Sequence, residues 1–185
     1  MSNVEIFFYD KNNKFLKKIK DSDIKLSNKI IIDKKFMDNM EDYGTFYIFH
    51  DSQNKNKSII RNSCYTGYSL NDNYASFVHG NTITAMKNLE TKKLEFGIGG
   101  KTFVNKNTYQ IQNSFQNTNV ELMMMNPTKH ILEIHINNEK FYLNSCCTTI
   151  KKFSNIDLIK IKSKSCLLRP IIFNYKNDYY DVYHG

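Results

Sequence analysis

The stretch KHILEIHINNEKFYLN, residues 129–144, decides the fold class of this chain. From Leu132 to Ile136 apolar residues alternate with Glu133 and His135, and a second alternating run follows from Glu139 to Leu143. Period two marks a strand with one buried face, because successive side chains of an extended backbone point to opposite sides. Between the runs stand Asn137 and Asn138, a residue type that tolerates the positive φ of a type I′ turn. A β-hairpin is expected here.

The same period recurs on both sides of this stretch. Upstream, VEIFFY (4–9) and KFLKKIK (14–20) flank the turn signal DKNN, and IKLSNKIIID (24–33), YGTFYIFH (43–50), SIIRNSCYTGYS (58–69) and YASFVHG (74–80) follow. NTITAMKNLE (81–90), TYQIQNSF (108–115) and NVELMMMN (119–126) lead up to the hairpin. Downstream come CTTIKKF, IDLIKIK, LLRPIIFNY and YYDVYHG at similar spacing. Helical period is scarce. The one helical candidate is KKFMDNMEDY, with Asp33 as its N-cap and a helix expected over about 34–42. About ten to twelve short strands with frequent turn signals describe an all-β chain, an antiparallel β-sandwich of jelly-roll type. No Pro-, Gly- or Ser-rich linker divides the chain, so residues 1–185 are expected to form a single domain. Pro170, placed inside the strand that follows Arg169, implies that this strand is an edge or is bulged. In MMM (123–125) the middle methionine faces away from the other two, so that strand is expected to be covered on both sides, by a third layer or a second copy.

Charge comes next. The net charge is +8, carried by 24 Lys and only 2 Arg. Such a balance ordinarily points to a polyanion, and nucleic acid stays open as a partner. The lysines are spread along the chain and accompany 24 Asn, which fits a solvated surface encoded by AT-rich sequence. The N-terminus lacks a basic segment followed by an apolar core, and no run of 18 apolar residues exists, so a cytoplasmic, non-spanning chain is the expectation. Reduced thiols are expected for Cys64, Cys146, Cys147 and Cys166; a Cys64–Cys166 bridge is the one pairing that the mirrored segments Arg61-x-x-Cys64 and Cys166-x-x-Arg169 would favour.

Several residues bear chemistry. A guanidinium makes a bidentate contact to carboxylate or phosphate that an ammonium cannot, so Arg61 and Arg169 stand out in a Lys-rich chain; the competing reading is a buried structural ion pair. SFVHGN (76–81) and DVYHG (181–185) both end a strand with His-Gly, which places His79 and His184 at strand ends where a ligand could approach; the competing reading is an ordinary strand-end hydrogen bond. Tyr65, Tyr68 and Tyr74 lie in the segments around Arg61 and His79, and tyrosine suits sugar faces, nucleobases and protein partners alike. Glu133 and His135 share a face, but two residues do not make a metal site, and neither CxxC spacing nor a cupin-like His pattern is present. FGIGGK (96–101) lacks the spacing and the helix of a phosphate loop, and GxSxG is absent. No cofactor, metal or catalytic residue is expected.

The reading is therefore a non-catalytic module that binds a glycan or similar polar ligand through Arg61, Tyr65, Tyr68, Tyr74, His79, Arg169 and His184. Two alternatives stand beside it. One is a structural or assembly subunit, oligomeric, of a virion or surface layer. The other is a His-dependent enzyme acting on a sugar or nucleotide.

Overall fold

A computed structural model describes residues 2–24, 28–38, 42–52, 64–70, 74–79, 85–88, 90–98, 107–112, 118–156, 158–165, 168–176 and 179–184. The fold is all-β with antiparallel sheets, and no helix occurs among the described residues. The chain divides into two compact units, Met1–Asn62 and Ser63–Gly185.

In the first unit, β1 (Ser2–Asp10) is the middle strand of a sheet, between β2 (Phe15–Ile24) and β3 (Gly44–Ser52). The DKNN turn forms as expected. Asp10 Oδ1 accepts the amides of Asn12 at 2.9 Å and Lys14 at 2.7 Å, and Asn13 takes φ 63°. Ile6 and Phe8 are buried on one face, where Phe36 meets Phe8 edge-on at 5.4 Å. Residues 39–41 of the expected helix lie outside the described residues, and over its described part, residues 34–38, the chain forms a turn. Asp33 does cap it, its carboxylate accepting the Phe36 amide at 2.6 Å and its carbonyl the Met37 amide at 3.1 Å. Asp38 then takes φ 54°, which a right-handed helix cannot continue through. Lys17 binds the Phe36 carbonyl and stands 4.3 Å from the Phe36 ring, so side-chain contact to the sheet outweighs a helix too short to be stable alone. The strand expected over 24–33 also fails: Ile24 ends β2, and the described residues 28–33 form no strand and leave Ile31 and Ile32 exposed.

The second unit carries β4 (Tyr65–Leu70), β5 (Tyr74–His79), β6 (Ala85–Lys87), β7 (Leu94–Phe96) and β8 (Asn107–Gln112). It continues with β9 (Asn119–Met125), β10 (Leu132–Ile136), β11 (Glu139–Leu143), β12 (Thr148–Ser154), β13 (Leu158–Ser163), β14 (Ile171–Lys176) and β15 (Tyr179–His184). Two four-stranded sheets, ordered β11-β10-β13-β8 and β12-β9-β14-β15, face each other across one apolar layer. Val120, Leu122 and Met124 of β9 and Ile172 of β14 meet Ile134 and Ile136 of β10 and Ile159 and Ile161 of β13, all essentially without exposure. Burying each such side chain contributes about 1.5–3 kcal/mol. The alternation legible in the sequence thus becomes a β-sandwich. The strand orders define two antiparallel sheets and do not by themselves define a jelly roll.

The hairpin expected within residues 129–144 is β10–β11, registered Ile134↔Phe141 around Asn137–Asn138. Among its two turn residues only Asn137 takes a positive φ, 51°, the pattern of a type II′ turn rather than I′. The neighbouring strand explains the choice. Asn137 N–H donates to Lys160 O at 2.8 Å and Asn137 Oδ1 accepts the Lys160 amide at 2.8 Å, so the turn residue extends the β10–β13 ladder.

Asn126, fully buried after β9, ties the two sheets together. Its Nδ2 donates to the carbonyls of His130 (2.7 Å), Leu143 (2.9 Å) and Asn144 (3.0 Å), and its Oδ1 accepts from Thr128 N (2.9 Å) and Thr128 Oγ1 (2.8 Å). Arg169 and Pro170 precede β14, which is interior to its sheet, so the expected edge strand or bulge at Pro170 is not there; pairing with β9 begins at Ile171. Cys146 and Cys147 belong to the turn between β11 and β12 rather than to a strand, Cys147 N–H donating to Asn144 O at 3.1 Å.

A third layer covers the outer face of the β14–β15 pair. Because Ile172 points into the sandwich, Ile171, Phe173 and Tyr175 point outward, beside Tyr180 and Val182 of β15. Val78 and Tyr68 of the β4–β5 hairpin pack on this group. Met123 pairs with Ile171 and lies on the same side; it and Met125 are half-buried there, while Met124 is buried in the core, so cover on that outer side is partial.

Candidate functional site

The β4–β5 hairpin has two unlike faces. Its register is Tyr65↔His79, Gly67↔Phe77 and Tyr68↔Ser76, so alternation places Tyr65, Gly67, Phe77 and His79 on one face. Thr66, Tyr68, Ser76 and Val78 take the other, toward β15.

The inward face is held by hydrogen bonds to a sheet edge. β15 is the last strand of its sheet, and an edge strand presents unpaired amides and carbonyls. Ser76 Oγ accepts the Val182 amide at 3.0 Å and lies 3.3 Å from the Val182 carbonyl. One ring nitrogen of His184, Nε2, donates to the carbonyl of His79 at 2.9 Å. That bond fixes the tautomer: a carbonyl only accepts, so Nε2 bears the proton. Nδ1 is then a buried lone pair with no hydrogen-bond partner among the described residues. Burial lowers the His184 pKa below its ordinary 6.5, opposed by the His79 carbonyl and reinforced by the positive charge of Arg169. Tyr68 meets Phe173 edge-on at 4.9 Å, and burial pushes its hydroxyl up to about 12.

The outward face is aromatic and open. Tyr65 is 60% exposed and Phe77 66%. The His79 ring lies 4.4 Å from the Tyr65 ring, tilted by 43°. Phe77 lies over Gly67, where an added Cβ would come within 2.5 Å of Phe77 Cε1. Glycine therefore lets the Phe77 ring settle onto the backbone between the strands. The result is a shallow platform of two rings and an imidazole.

The sequence-predicted residues divide accordingly. Tyr65, His79 and His184 are brought together at one end of β5 and β15, and Arg169 is near enough to act electrostatically on His184. Tyr68 lies on the opposite face of the hairpin from Tyr65. Tyr74 opens β5, with its side chain outside the described residues, and Arg61 lies outside them altogether. Phe77, Gly67 and Ser76 were not picked out from sequence. The signal was present: in YTGYSL and YASFVH, period two alone puts Tyr65 with Gly67, and Phe77 with His79.

Cys64 is a free, exposed thiol, so the Cys64–Cys166 bridge does not form. His135 Nε2 sits 2.7 Å from Glu133 Oε1 while Lys140 Nζ takes Oε2 at 2.8 Å, so that carboxylate is already occupied. Among the described residues no group of three or more His, Cys, Asp or Glu is placed to hold a metal ion. No helix of the described residues is long and apolar enough to cross a membrane. No protein-family model, no curated protein and no solved structure matches the chain.

Proposed function

We propose that the second unit is a non-catalytic binding module for a glycan, which it holds on the outward face of the β4–β5 hairpin. The observation that carries this reading is the adjacency of exposed Tyr65, Phe77 and His79 around Gly67. The C–H face of a pyranose stacks on an aromatic ring, while its hydroxyls seek polar groups at the rim. Tyr65 and His79 supply such groups beside the rings.

Aromatic shielding of a strand glycine accounts for Phe77 over Gly67 by itself. It does not account for Tyr65 and His79 standing exposed in the next row. The area involved is small, two rings and an imidazole, which suits one or two sugar rings rather than a stable protein interface. The expected outcome on a glycan array is binding by the whole chain that Phe77→Ala removes. Absence of any glycan binding, or undiminished binding by Phe77→Ala, contradicts the proposal.

A further inference from the structure

A different surface of the second unit carries an unspent charge. Strand β13 alternates strictly: Ile159, Ile161 and Ser163 are buried, while Lys160 and Lys162 are exposed, and Lys164 is exposed just beyond the strand. None of these three lysines has an ion-pair partner among the described residues, although elsewhere Lys18 is paired with Glu5, Lys129 with Glu95, Lys151 with Glu139 and Lys152 with Glu121. Lysines often guard sheet edges against unwanted pairing. That explanation fails here, because β13 is interior to its sheet, between β10 and β8.

The neighbouring strands set further polar groups beside these lysines. His135 of β10 pairs with Lys162 on one side and Lys140 of β11 on the other, so Lys140, His135 and Lys162 form a row across three strands. Among the described residues the only carboxylate in the cluster is Glu133. It is bound by Lys140 at 2.8 Å and His135 at 2.7 Å and lies 3.3 Å from the Tyr142 hydroxyl, so it fixes those groups and leaves the β13 lysines uncompensated. Tyr142, 61% exposed, stands at the margin with Lys140 Nζ 5.2 Å from its ring centre. Like charges side by side on one sheet face are mutually destabilising, so the arrangement is at its most favourable with an anion upon it.

We propose that this outer face of the β11-β10-β13-β8 sheet binds the phosphate backbone of a single-stranded nucleic acid, without base specificity. Same-face residues on a strand are about 6.7 Å apart, close to the spacing of successive phosphates in an extended strand, so Lys160 and Lys162 can each meet one phosphate, with Lys164 following at the bend beyond β13. Ammonium groups act as point charges on phosphate and read no sequence. The inference is independent of the glycan reading, since it concerns the other side of the sandwich.

The test is fluorescence anisotropy of the whole chain with a labelled oligothymidylate over a range of salt. Each phosphate contact contributes about 0.7 to the slope of log K against log salt, so the K160A/K162A/K164A variant should lower the slope by about 2. The same variant should weaken low-salt binding at least about tenfold, while the triple Lys→Arg variant keeps both. A K29A/K34A/K35A variant, altering three exposed lysines of the first unit, removes equal charge and should change the slope little. Equal losses in the two alanine variants would show that net charge alone is at work and would overturn the proposal. It is overturned equally if the chain prefers a sulfated oligosaccharide of matched charge and the β13 variant abolishes that binding alone. Circular dichroism of each variant separates loss of binding from loss of fold.

Discussion

At the scale of single residues, Asn126 shows how one side chain holds two sheets. Its amide group satisfies three carbonyls and its oxygen two donors, all in a place without water access. Asn126→Ala removes its bonds to the Leu143 carbonyl and the Thr128 amide, while the His130 and Asn144 carbonyls keep Thr128 Oγ1 and the Cys147 amide, and should cost about 1–3 kcal/mol. Asn126→Asp should be worse despite its near-identical shape, because a carboxylate cannot donate and would face three carbonyl oxygens. Urea unfolding followed through amide exchange of Ile134 and Ile161 checks the order. An Asp variant as stable as wild type would contradict it.

His184 gives a second residue-scale prediction. Its folded pKa is lowered, chiefly by burial, so the unfolded chain binds its proton more readily. Its contribution to stability is therefore complete above about pH 6.5, the unfolded value, and is lost as pH falls through the lower folded value. An NMR titration of the imidazole should place its midpoint below 6.5, and Arg169→Gln should move it upward by removing a nearby positive charge. A midpoint at or above 6.5 in the wild type contradicts this.

At the scale of elements, the β4–β5 hairpin depends on what it does for β15. The Ser76 hydroxyl accepts the Val182 amide, which Asp181 Oδ1 also accepts at 2.9 Å, and donates to the Val182 carbonyl at the sheet edge. Ser76→Ala should loosen the hairpin without unfolding the sandwich, read as faster hydrogen exchange at Val182 with unchanged protection in β10 and β13. Exchange rising equally in all three would mean that the hairpin and the sandwich open as one body.

Much of this element level was legible in the sequence. The alternation of 132–143 fixed the β10–β11 hairpin and its inward residues, because one buried face forces period two. The turn type was not legible, since Asn137 is set by Lys160, 23 residues away. The short helix failed for a like reason: Phe36 and Lys17 are bound by tertiary contacts that local propensity does not contain.

At the scale of the whole molecule, three layers are stacked in the second unit, and its two outer surfaces differ in character. The hairpin side carries rings and a histidine, and the far sheet carries lysines. His184 bonds the His79 backbone carbonyl, the strand-end hydrogen bond that was the competing reading of the repeated His-Gly strand ends, whereas the partnership of Tyr65 with Phe77 required the register of the hairpin. Tyr68 was grouped with Tyr65 on proximity in sequence, but three residues along a strand is an odd step and reverses the face.

The glycan reading rests on that outward face, and Gly67 allows it to be probed without removing any ring. In Gly67→Ala the new methyl would displace Phe77 from the backbone while Tyr65 and His79 remain. The direct measurement is an NMR titration of the whole chain with the glycan that binds best on the array. Shifts should centre on Tyr65, Gly67, Phe77 and His79 and weaken at least about tenfold in affinity in Gly67→Ala. Shifts centred elsewhere, or full affinity in the Gly67→Ala protein, would contradict the account.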